Sequence, residues 1–293
     1  MAGHSVGVGV RRRLIALLIG LLGIATAYVL VCLLVLRTPP AQEVTFEQRP
    51  QGAERPLSVY AEVLSVDPVR ASLELRLDFA TGRDPLGTLF AGPADRDMTV
   101  RTSDGTNEQQ IALRRGQPMS PVSVPLDIKT GAIDGYPFDR YTADLAIEAY
   151  EGSGPSSAAA IPLRLTIWDR LAAWHIGVAE ARLEAGSAGL RIGFRVRRPD
   201  PHIFLATTLY AVMVLMATIA ISAGSLMFLA VRRPDTTLAA VLGTMVFSLP
   251  VLRNIMPGAP PLGVRADSFV FLWTELAVVT GLALVVATWA RRG

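Results

Sequence analysis

Residues 14–36 and 203–231 contain no charged side chain, and each run is long enough to cross a hydrocarbon core about 30 Å thick, which takes roughly 20 apolar residues of helix. A third run, 236–252, is shorter and also uncharged. The fourth, 268–290, reaches the length with a single charge, Glu275. The chain is 51% hydrophobic and 18% charged, and its apolar residues are gathered into these runs. The pattern predicts four transmembrane helices, one before and three after a polar stretch at 38–200. The expected fold is a mixed membrane protein with an all-β middle.

The arginines orient it. Arg11, Arg12 and Arg13 precede the first run, Arg232 and Arg233 separate the second from the third, and Arg291 and Arg292 follow the fourth. The opposite flanks carry single arginines, Arg37, Arg253 and Arg265. Basic clusters mark the cytoplasmic side, and a four-crossing path brings all three clusters to it. Both termini are therefore expected in the cytoplasm of a cell-membrane protein, with 38–200 outside. The net charge of +3 comes partly from these flanks; it speaks for the lipid bilayer as partner and not for nucleic acid.

A processing-like Ala25-Thr26-Ala27 leaves a cleaved signal peptide as an alternative for the first run. The apolar stretch continues past it through Leu33, which suits an uncleaved anchor better. Cys32 is the sole cysteine, so no intrachain disulfide can form. The expected organisation is an anchor at 1–37, a β-domain at 38–200 and a three-helix bundle at 201–293, with 38–56, rich in Pro, Gln and Glu, as linker.

Within the middle region Leu73, Leu75, Leu77 and Phe79 alternate with Glu74, Arg76 and Asp78, the mark of a strand with one buried face. Ala143, Leu145, Ile147 and Ala149 repeat the pattern, as do Leu190, Ile192, Phe194 and Val196. Weaker candidates are 57–64, 98–101, 110–113, 122–128, 161–168 and 176–183. Turn signals at Asp67-Pro68, Ser103-Asp104-Gly105, Gly131 and Gly152-Ser153-Gly154-Pro155 separate them. Some nine short strands at this spacing predict a β-sandwich.

Nothing in the sequence points to catalysis. His4, His175 and His202 are scattered, and no nucleophile elbow, phosphate loop or dinucleotide fingerprint is present. Asp95, Asp97 and Asp104 suggest calcium, but Arg96 and Arg101 lie among them and favour a solvated turn. No enzyme activity, cofactor or metal is expected.

Three further stretches carry the functional reading. Gly135-Tyr136-Pro137-Phe138-Asp139-Arg140-Tyr141 sits between strand candidates, and Arg197-Arg198-Pro199 leads directly into the second apolar run. Tyr-Pro biases the chain to extended or turn geometry; Phe138 is expected to bury its ring and Asp139 to stay near the membrane face, where the junction arginines pair either with it or with lipid phosphate. In the third run Thr237, Thr244 and Ser248 fall on one helical face with Val241, either lining a water-filled pore or bonding neighbouring helices. Pro250 would kink that helix or end it. Glu275, a third of the way into the last run, is costly against lipid; it either coordinates or gates an ion with Arg253 or Arg265 as partner, or bonds Asn254 or a neighbouring helix's hydroxyl in a structural role.

The order of these stretches resembles the pentameric ligand-gated ion channels, where a Phe-Pro-Phe-Asp loop and an Arg-Arg-x-Pro junction tie a β-sandwich to its pore helices. The resemblance implies a coupling interface at Tyr136, Pro137, Phe138, Asp139, Arg197 and Arg198, and a homo-oligomer. Here three helices follow the β-domain where the channels have four, and the aromatic binding loops have no counterpart. Taken whole, the chain resembles more closely a bacterial membrane family known only as domain of unknown function 4436, with one anchor, a β-domain and three closing spans. The function expected is a channel-like sensor or ion pathway of the cell envelope, its ligand unknown. The alternative is a structural or assembly module that docks envelope partners and uses its helices only as anchors.

Overall fold

Alternation of buried and exposed side chains shapes the first half of the molecule. A computed structural model describes residues 43–48, 56–81, 92–152, 159–183, 189–229 and 236–292, with the single positions 23, 26, 29 and 33, all four helical and exposed. The anchor expected at 14–36 and the clusters Arg11–Arg13 and Arg232–Arg233 fall almost wholly outside the described residues.

Ten strands are described: β1 (Glu43–Glu47), β2 (Leu57–Asp67), β3 (Ser72–Thr81), β4 (Met98–Ser103), β5 (Glu108–Leu113), β6 (Val122–Thr130), β7 (Arg140–Glu151), β8 (Leu163–Trp168), β9 (His175–Leu183) and β10 (Leu190–Arg197). They hydrogen-bond in the order β1-β8-β2-β3-β6-β7-β10-β9, with β4 between β7 and β5. All pairings along this path are antiparallel except β2 with β8.

The result is one nearly closed sheet folded over a shared core, where two facing sheets were expected. Strand β6 joins the flanks: Val122–Asp127 pair with β3, then the register shifts and Ile128 and Thr130 pair with β7. Leu73, Leu75, Leu77 and Phe79 from one flank meet Tyr141, Ala143, Leu145 and Ile147 from the other, all essentially inaccessible. Burial of such side chains contributes about 1.5–3 kcal/mol each, which is why the alternation predicts the strands so well.

One strand corrects the sequence reading. β1 lies inside the stretch expected to be linker. It pairs with β8 at the sheet edge, and none of its residues is buried, so the pattern that marks core strands is faint there.

Three helices follow: α1 (Asp200–Phe228), α2 (Thr236–Asn254) and α3 (Leu272–Arg292), the last entered through a π-helical turn, Asp267–Phe271. All three, counting the turn with α3, are long and apolar enough to cross a membrane. Helix α1 buries Ala206, Tyr210, Met213, Ala217, Ala220, Gly224 and Met227, spaced alternately four and three residues apart, as in a helix–helix seam. Its partner is α3, which runs in the same direction. A β-carbon on Gly224 would lie 2.5 Å from the Gly281 carbonyl oxygen, and one on Gly281 2.5 Å from that of Ala220. Backbones this close require small residues at the crossing. Pro250 does not end α2, which runs four residues further and sends Arg253 into the protein.

Candidate functional site

The site is built where β10 hands over to α1. Arg197 closes the strand, Pro199 caps the helix and Pro201 stands in its first turn, where a missing N–H costs nothing. Between them Arg198 has no ladder position and turns inward; its side chain is 3% exposed. Its Nε donates to Asp139 Oδ1 at 2.6 Å, across 59 residues of sequence.

Every face of this guanidinium is covered. The Tyr136 ring lies 4.7 Å from its central carbon and the Trp174 ring 4.5 Å, both within cation–π range. Nη1 packs against Gly258 in the loop between α2 and the π-helical turn. The second oxygen of Asp139 accepts from the Tyr141 hydroxyl at 2.7 Å. A buried ion pair is favourable only when its remaining hydrogen-bonding capacity is met, and the carboxylate here has a donor on each oxygen.

Tyr136 spans the seam. Its peptide bond to Pro137 is cis, its ring is buried, and its hydroxyl donates to the Pro257 carbonyl at 3.0 Å. Burial raises its pKa to about 12, with the Arg198 charge pulling the other way. Burial raises Tyr141 too, reinforced by its bond to Asp139. Both hydroxyls thus remain donors through the neutral range.

Beside this cluster lies a second ion pair. Arg253 donates through Nε to Asp267 Oδ1 at 2.9 Å and through Nη2 to Oδ2 at 2.7 Å, a bidentate fork. Its Nη1 reaches the Pro260 carbonyl at 2.9 Å and Nη2 the Pro261 carbonyl at 2.8 Å. The Gly263 N–H and Tyr210 hydroxyl complete the shell around Asp267. This pair ties the end of α2 to the start of the last helix and shapes the loop that Tyr136 and Arg198 touch.

Of the residues implied at the interface, Tyr136, Pro137, Asp139 and Arg198 come together in the buried cluster. Arg197 points out and pairs with Asp200 at 2.6 Å. Phe138, expected to bury its ring, is 64% exposed: the turn that buries Tyr136 and Asp139 faces the residue between them outward. Thr237 and Thr244 are exposed and Ser248 half-buried on the outer face of α2. The Thr244 and Ser248 hydroxyls donate to carbonyls of their own helix. Glu275 bonds neither Arg253, which is committed to Asp267, nor Arg265, which is exposed.

Of the aspartates weighed for calcium, Asp95 and Asp97 are exposed, as expected of a solvated turn, and Asp104 departs from it. Asp104 is buried, and its carboxylate accepts the N–H groups of Thr106, Asn107 and Asp127. Burial by itself would raise its pKa; these backbone bonds and the Asn107 amide outweigh it and hold the carboxyl below its ordinary value. Among the described residues no group of three or more His, Cys, Asp or Glu side chains is placed to hold a metal.

Tyr141, Trp174, Arg253 and Asp267 stand in stretches the sequence marks, but nothing there gives Tyr141 or Trp174 this role, singles out Gly258 or pairs Arg253 with Asp267. That last pair nonetheless had a signal: two opposite charges bracket the proline-rich loop at the ends of adjacent apolar runs.

A curled β-domain bound through a buried arginine to three apolar helices is the class this geometry defines. Residues 46–194 match the family described as Domain of unknown function (DUF4436), and the chain belongs to it. Residues 198–292 match a second, described as Domain of unknown function (DUF8686). Asp139 lies in the first matched region and Arg198 opens the second, so the ion pair bridges the two. No curated protein matches the chain.

Proposed function

We propose that the chain is a multi-pass membrane protein in which the β-domain stands outside the bilayer and biases a homo-oligomeric helix bundle, as a channel-like sensor. The observation that carries this reading is the buried cluster of Arg198, Asp139, Tyr136 and Trp174 clamped on Gly258. A tether would need only a flexible linker. Here these covered contacts fix the strand exit, the Tyr136 loop and the α2–α3 loop to one another, so a displacement of β7 or β10 reaches the end of α2.

The arginine clusters supply the orientation, with the β-domain on the opposite side from Arg232, Arg233, Arg291 and Arg292. The outward stripe Thr237, Thr244 and Ser248 is the face α2 would offer to a shared axis. A second reading, a rigid envelope-docking module, is favoured by the hydroxyls of Thr244 and Ser248, which are satisfied within their own helix and do not require water.

Oligomeric mass in detergent, followed by thiol labelling of single cysteines at positions 237, 244 and 248 in a Cys32→Ser background, separates the two. A ring-sized oligomer labelled by a membrane-impermeant reagent supports the sensor. A monomer, or an oligomer with all three thiols protected, leaves the docking module.

A further inference from the structure

Glu275 sits on α3 eight residues beyond Asp267, on the same helical face as Phe271, Val278 and Leu282. Its Oε2 is closed off from solvent and has no hydrogen-bond partner among the described residues, while the side chain as a whole is half-buried. The elements packed against it hold few ionisable groups. On α1 these are Asp200 and His202, in the first turn, and Tyr210, which gives its hydroxyl to Asp267. On α2 Arg253 alone is charged, and its donors go to Asp267 and the Pro260 and Pro261 carbonyls.

Along the last helix itself, Asp267 is consumed by Arg253. Arg291 stacks on Phe228 at the far end, 5.2 Å from the ring, about 24 Å from Glu275 at 1.5 Å per residue. None of these groups bonds Glu275. With no described donor or counter-charge on that oxygen, a carboxylic acid is the form that leaves no charge uncompensated.

We propose that Glu275 is a proton-binding site within the helix bundle: its carboxylate takes one proton from water and holds it as a neutral carboxyl in the span. The site is separate from the Arg198 cluster and rests on the membrane placement proposed above. The ligand is the proton itself; a sodium ion held by the carboxylate is the competing outcome.

The test is dicyclohexylcarbodiimide, an apolar reagent that modifies protonated carboxyls in apolar surroundings, applied at pH 7 to the full chain in phospholipid vesicles and localised by peptide mass spectrometry. The adduct is expected on Glu275 and not on the exposed Asp134, unaffected by excess sodium, and lost in Glu275→Gln while that variant keeps the wild-type thermal midpoint. Floating vesicles with an unlabelled Glu275 overturn the proposal alone, as does protection by sodium. Protein that fails to float with the vesicles overturns the membrane placement and the proposal with it.

Discussion

Gly258 lies so close to Arg198 that a β-carbon on it would overlap the guanidinium Nη1, and its φ of 75° is one that side-chain-bearing residues rarely adopt. The loop between the last two helices is thereby moulded to an arginine that enters from the β-domain. Gly258→Ala therefore carries two costs. The left-handed backbone is worth about 1–2 kcal/mol, and displacement of Arg198 adds to it. Gly263, with φ 100° and open space around its α-carbon, carries only the first. Thermal unfolding in detergent should show a larger drop for Gly258→Ala than for Gly263→Ala; equal drops would contradict the packing argument.

The Arg198–Asp139 pair should behave as a buried unit. Removing one partner strands the other charge, so Asp139→Asn and Arg198→Met are each expected to cost about 3–5 kcal/mol. The double variant Asp139→Asn with Arg198→Met should cost clearly less than the two singles combined. Chemical denaturation of all four proteins closes the cycle, and additivity would mean that the pair is not coupled.

How far this seam was readable depends on what kind of signal each residue gives. Leu73–Phe79 and the alternating residues of β7 and β10 announce themselves because burial on one face repeats every second residue. β1 does not, since an edge strand that buries nothing leaves no such record. Asp139 and Arg198 are conspicuous as charges beside aromatic and apolar stretches, and pairing them requires only the handover from β10 to α1. Trp174 and Gly258 were not legible in this role. Neither has a local pattern, and their positions follow from which loops the nearly closed sheet and the bundle bring to one face. Phe138 went the other way, because a turn's facing is set by its two buried neighbours.

At the crossing of α1 and α3, Gly281→Val should separate the helices, since both backbones are already in contact there. The buried seam from Ala206 to Met227 would lose its partner. We expect a lowered unfolding midpoint and loss of a disulfide engineered between the two helices near the crossing, while the β-domain retains its far-ultraviolet circular dichroism. Unchanged cross-linking would refute the close approach.

The pH dependence follows from Tyr136. Its folded pKa, raised by burial to about 12, exceeds the ordinary tyrosine value near 10. Above pH 10 the unfolded chain releases this proton while the folded chain keeps it, so stability present below pH 10 declines as pH rises toward 12. Tyr136→Phe removes that contribution. It should be less stable than wild type at pH 8, having lost the bond to Pro257, and the gap should narrow between pH 10 and 12. A constant gap would show that Tyr136 has no raised pKa.

Hydrogen–deuterium exchange on the full chain in lipid nanodiscs, comparing wild type with Arg198→Lys, tests the seam most directly. Lysine keeps the charge but lacks the planar group held between Tyr136 and Trp174. If the β-domain and bundle are coupled through Arg198, amides in the Tyr136 loop (133–139) and in the α2–α3 loop (255–263) exchange faster together in the variant. Faster exchange confined to 133–139, with 255–263 unchanged, would contradict the coupling.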